Sequence, residues 1–118
     1  MPKPKIYKHP NKLNVGYKCY EIIQRSLECE KLYGYADLAL NTITVDPNTV
    51  TDADYKGTLL HEILHVGYDV FGLGDDDEMP TFGNEYLTGA TTNMLLVLQG
   101  LNPELFNFIF SNETNNPN

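Results

Sequence analysis

The segment from Asp52 to Val70 constrains the fold more than any other part of the chain. With Leu59 as zero and ~100° per residue, Leu59, Ile63, Val66 and Val70 cluster within about ±40° of one line. Leu60, Leu64 and Gly67 add a second apolar patch at roughly 80–140°. A helix that is apolar over so much of its circumference has to be covered by other layers. Its narrow polar sector holds His61 near 200°, His65 near 240° and Glu62 near 300°, with Thr58 and Asp69 beside them. Thr51, with Asp54 three residues on, resembles a capping box in which Asp replaces Glu. Gly72 and Gly74 are the expected stop.

Around this helix the pattern reads as a small mixed domain. Val15, Tyr17 and Cys19 alternate as in a strand, and Tyr20 to Glu30 reads as continued strand with an irregular stretch after it, with a short helix as the alternative. Residues 33–46 read as a hairpin turning at Leu40-Asn41, with a β-branched second arm, Thr42-Ile43-Thr44-Val45, closed by Asp46-Pro47-Asn48. A second helix is predicted from about Asn84 to Gln99. Gly100 and Asn102-Pro103 then break the chain before a short apolar helix, Glu104 to Phe110.

At 118 residues the chain fits one domain with one core. Cys19 and Cys29 are too few for a disulfide scaffold and lack the spacing of a metal knuckle, so both are expected reduced. Lys3, Lys5, Lys8, Lys12 and Lys18 all precede the first acid, Glu21, and the remainder carries 16 acids against three bases. An acidic body repels phosphate backbones and argues against nucleic-acid binding. The basic N-terminal arm is free either to stay solvated or to dock on that body or a partner. The polar N-terminus is no signal-peptide core, and no apolar run approaches the ~20 residues that span a bilayer. The expected compartment is the cytoplasm, with no membrane partner.

The run His61-Glu62-Ile63-Leu64-His65 carries the chemistry. Residues four apart lie on one helical face, about 6 Å along the axis, so both imidazoles can reach one ion. Neutral imidazole suits zinc, and catalytic zinc keeps a coordination position open for water, whose pKa it lowers from 15.7 to about 7. Glu62, on the neighbouring flank, is placed to take the water's proton without ligating the metal. Chance produces this pentapeptide in on the order of a few chains per thousand. The support here is its context: uncharged flanks, a strong helix, and apolar faces around the polar sector.

With those residues the chain resembles the HExxH zincin metallopeptidases. Over about residues 15 to 110 it also resembles small phage-encoded zinc metallopeptidases distantly related to the ImmA/IrrE-like group, through Leu59 to His65, a Glu opening a second helix, and Asn102-Pro103-Glu104-Leu105. The resemblance implies an α+β fold, a minimal zincin-like domain. It would have a small antiparallel or mixed sheet of about three strands on two long helices, with a short C-terminal helix and an edge strand lining the cleft. The whole chain, 1–118, would be this one domain, with residues 1–13 as a basic arm and 111–118 as a flexible tail.

The resemblance also bears on the third ligand. A metzincin-like extension needs Gly at 68 and His or Asp at 71, where this chain has Tyr68 and Phe71. Glu85, opening the second helix 20 residues after His65, matches a gluzincin-like site, with Glu78 or Asp77 as alternatives. The small residues on its face, Thr88, Gly89 and Thr92, would let that helix approach the motif helix closely, while Leu87, Ala90, Met94 and Leu98 with Val97 would join the core. Gly89 stands where thermolysin-like gluzincins carry an Asp supporting the site. Asp69 lies too far along the axis to ligate and is better placed at the cleft. Tyr35, Tyr68, Tyr86 and His9 are candidate donors to an oxyanion, none preferred. The cluster Asp75-Asp76-Asp77-Glu78 reads as a solvated loop or an acidic rim.

The expectation is therefore a monomeric zinc-dependent hydrolase of peptide bonds, acting on a peptide or protein, in the bacterial host cytoplasm if phage-encoded. A zinc-stabilised binding or regulatory protein without proteolysis, and a hydrolase of a non-peptide amide, are the alternatives.

Overall fold

A computed structural model describes residues 5–73 and 85–111, with only the backbone of residues 85 and 86. Four strands, β1 (Lys12–Asn14), β2 (Cys19–Gln24), β3 (Gly34–Asp37) and β4 (Thr42–Val45), precede three helices, α1 (Asp52–Val70), α2 (Glu85–Leu101) and α3 (Pro103–Phe110). The fold is α+β. The sheet runs in the order β1-β2-β4-β3, with β2 and β4 parallel and both outer pairings antiparallel.

The sheet thus has four strands where the sequence suggested about three. The reason lies in residues 15–18, whose alternation with Cys19 looks like a strand but which form the β1–β2 turn. Gly16 takes a left-handed φ of 107° there, and the Val15 N–H donates to the Lys18 carbonyl. Only glycine enters that region without strain. β1 itself is three residues long, too short for periodicity to reveal. Its Leu13 nevertheless faces Tyr20 across the pair, both fully buried.

Helix α1 has the predicted bounds. Thr51 caps it by accepting from the Asp54 N–H at 3.1 Å, and its hydroxyl donates to the Asp54 carboxylate at 2.9 Å. At the other end Gly72, at φ 71°, lets the Leu73 N–H reach back to the Tyr68 carbonyl. The stripe Leu59, Ile63 and Val66 is fully buried against Ile22, Ile43 and Val45 of the sheet and the apolar residues of α2 and α3. Val70, Leu60 and Leu64 are partly buried at its margins.

Helix α2 meets α1 closely at Gly67. A Cβ on Gly67 would fall 2.7 Å from the Met94 sulfur and 3.3 Å from Leu98 Cδ1, so glycine there sets the interhelical distance. This corrects the expectation that Thr88, Gly89 and Thr92 line the approach. Those three are exposed, and Met94 and Leu98 make the contact. Val97, expected in the core, is 45% exposed. Gly100 lies inside α2, so the break comes at Asn102. Asn102 accepts from the Asn14 N–H and donates to the Asn14 and Leu98 carbonyls, tying the α2–α3 corner to β1.

The N-terminal segment from Lys5 docks on the body. Tyr7 is 1% exposed, stacks on Tyr55 at 4.0 Å, and donates to Asp52 at 2.8 Å. Its backbone exchanges two hydrogen bonds with the Gln24 amide. Lys56 reaches the Ser111 carbonyl at 2.8 Å across the Phe108 ring and holds the end of α3. Among the described residues no helix is long and apolar enough to cross a membrane.

Candidate metal centre

His61 and His65 project from the same face of α1, one turn apart, and their Nε2 atoms are 3.1 Å apart. Two nitrogens on one tetrahedral zinc, each about 2.0–2.1 Å from it, would stand about 3.3 Å apart. The two rings, 76° from coplanar, therefore already converge as a pair of ligands would. His61 is exposed and His65 half-buried, so an ion could enter from solvent.

Glu62 differs from both. It is 7% exposed, and among the described residues it makes no hydrogen bond. Burial pushes its carboxyl above the ordinary carboxylate value, while His61 and His65 pull it partly back. A buried carboxyl next to two imidazoles, with no donor among the described residues, has the surroundings of a group that exchanges protons.

What brings the sheet to this carboxyl is Gly34. A Cβ at that position would lie 2.9 Å from Thr58 Cγ2, 3.0 Å from the Thr44 carbonyl and 3.5 Å from Glu62 Cγ. The start of β3 can press onto α1 only without a side chain. Among the described residues β3 is also an edge strand, paired only with β4. Between residues 31–34 and the first half of α1 lies an open cleft of about 530 Å³, lined by Leu32, Tyr33, Gly57 and Thr58 and ending at His61 and Glu62. The sequence reading did not single out Gly34 or Gly57. A glycine between two tyrosines in a strand, and one inside a helix, were the available signals.

The other candidates fall into three groups. Tyr35 points to the face of the sheet away from α1, where its hydroxyl accepts from Arg25 Nη2 at 3.0 Å beside Thr44. His9 sits at the opposite end of α1, bonded to the Tyr55 hydroxyl and the Pro10 carbonyl, each at 2.7 Å. Neither donates into the cleft. Tyr68 is half-buried against the core, and Asp69 is exposed on α1. Glu85 begins α2, but its side chain, like that of Tyr86, lies outside the described residues, as do Asp75, Asp76, Asp77 and Glu78. Among the described residues no third His, Cys, Asp or Glu joins His61 and His65 to complete a metal site.

Both cysteines are free and exposed. Compared with known protein families, curated proteins and solved structures, the chain matches none.

Proposed function

We propose that this protein is a zinc-dependent peptide hydrolase, with His61 and His65 holding the metal and Glu62 as general base. The observation that carries the reading is the 3.1 Å convergence of the two Nε2 atoms beside a buried carboxyl that makes no hydrogen bond among the described residues. Glu85 is the proposed third ligand, with Glu78 or Asp77 behind it. A zinc ion held there would supply Lewis-acid activation of a water, bringing its pKa down to about 7.

The protein's own residues would do the rest. Glu62 accepts the proton of the attacking water as the new C–O bond forms, then delivers it to the amine nitrogen as the C–N bond breaks. Its raised proton affinity suits both halves of that transfer. The open side of β3 can pair with an extended peptide main chain and orient the scissile bond over Glu62. Gly34 keeps that strand close enough to the helix for the two to act on one bond.

Zinc content and hydrolysis of a mixed peptide library test the assignment. Wild type should bind one zinc per chain, and Glu62→Gln should keep it while turnover falls about 10²–10⁴-fold. His61→Ala should lose both, and Glu85→Ala should weaken zinc retention. A Glu62→Gln protein that hydrolyses at the wild-type rate, or a wild type that binds no zinc, would overturn the proposal. A wild type that binds zinc without hydrolysing any peptide points instead to a zinc-stabilised binding protein.

A further inference from the structure

Three glycines sit in or against α1, and two have steric reasons inside the protein. Gly34 makes room for Thr58 and Glu62, and Gly67 for Met94. Gly57 is the third, four residues before His61, in the interior of α1, where glycine destabilises a helix relative to alanine. A Cβ there would meet nothing within 4 Å. No packing within the described residues requires glycine at 57, yet the position forms a wall of the cleft that ends at Glu62.

The facing wall is equally unexplained by the fold. Tyr33 is 75% exposed and Leu32 46%, adjacent apolar side chains left in water on the rim of the same cleft. The cleft volume of about 530 Å³ lies in the range of small-molecule and side-chain sites. At its inner end is the 7%-exposed Glu62 carboxyl, without a hydrogen bond among the described residues. The Gly57 backbone, the Tyr33 ring and the Leu32 chain line a slot with room for a flat or branched apolar group, while Lys31, Asp54 and Thr58 form the polar part of its lining beside the proposed base.

We infer that the slot between Tyr33 and Gly57 is a specificity subsite. It takes a large apolar side chain, aromatic or branched aliphatic, of the peptide residue beside the bond acted on. This rests on the hydrolase reading for its chemistry but not for its binding. Gly57 keeps the slot open, and Tyr33 with Leu32 supplies the apolar contact that discriminates.

The test uses zinc-loaded protein and the peptides acetyl-Ala-Ala-Xaa-Ala-Ala-amide, with Xaa as Phe, Leu, Ala, Asp or Lys. Wild type should show kcat/KM for Phe and Leu at least about tenfold above Ala, the scale at which apolar pockets discriminate. Gly57→Leu, a helix-compatible change into open space, should abolish that preference while keeping zinc content. Tyr33→Ala should reduce the preference. Gly57→Ala should raise the thermal midpoint and narrow the slot. Equal rates for all five peptides, or an unchanged Phe preference in Gly57→Leu, would overturn the subsite and leave the hydrolase reading standing.

If no peptide is cleaved, binding decides the subsite separately. Amide shifts of residues 31–34 and 53–58 in zinc-loaded Glu62→Gln should respond to the Phe peptide and hardly to the Ala peptide. Absence of that difference would sink the subsite on its own.

Discussion

The two ends of α1 use histidine in opposite ways. Near the N-terminal end, His9 is packed among Tyr55 and Phe108, with both ring nitrogens engaged by partners the fold supplies. From the middle of the helix onward, His61 and His65 turn Nε2 toward Nε2, beside a carboxyl with no donor among the described residues. The first histidine is satisfied within the protein. The second pair converges ring on ring, Nε2 to Nε2 at 3.1 Å, with the buried Glu62 carboxyl beside it. Residue type alone says nothing about this difference; the neighbours decide it.

The sharpest way to break the contrast is to empty the packed end. Tyr7→Ala removes a fully buried ring stacked on Tyr55 and should cost about 3–5 kcal/mol in urea unfolding. Zinc uptake by the protein that remains folded should be unchanged, and its loss would show that the two ends are not independent. A smaller effect is expected from pH. Burial holds His9 below its ordinary value of 6.5. The unfolded chain therefore takes up the proton first, so this part of stability is full above about pH 6.5 and is lost as pH falls toward the folded value. Thermal midpoints of wild type and His9→Gln should converge on acidification from pH 7.5; parallel curves would remove His9 as the cause. The smallest effect belongs to the open end, where His61→Ala should change metal-free stability by no more than about 0.5 kcal/mol. A larger loss would mean that the pair is structural after all.

Legibility in the sequence followed the range of the interactions. α1 could be read to the residue because a 3.6-residue period and a Thr51 cap are local signals. The hairpin of β3 and β4 was legible for the same reason, its turn helped by Asn41 at a left-handed φ of 57°. The parallel pairing of β2 with β4 was not, because a register such as Ile22 with Ile43 depends on a loop closing over 20 residues. The role of Gly34 was hidden likewise, since its reason is a contact with Thr58 on a different element. The facing residues His61 and His65 followed from helical geometry alone. Gly67 was read as apolar surface, and only Met94 against it shows that it sets a distance between helices.

The place of β4 has a consequence for biosynthesis. Among the described strands it is the last to leave the ribosome, yet it sits between β2 and β3 and joins them. Until residue 45 has emerged, a nascent chain can form only the short β1–β2 hairpin, and β3 has nothing to pair with. The inner side of β2 stays uncovered for the same interval, and Tyr20 and Ile22 wait still longer, until α1 follows. Translation pauses placed between codons 24 and 42 would prolong that exposure and so favour self-association during synthesis, whereas pauses after codon 70 would not.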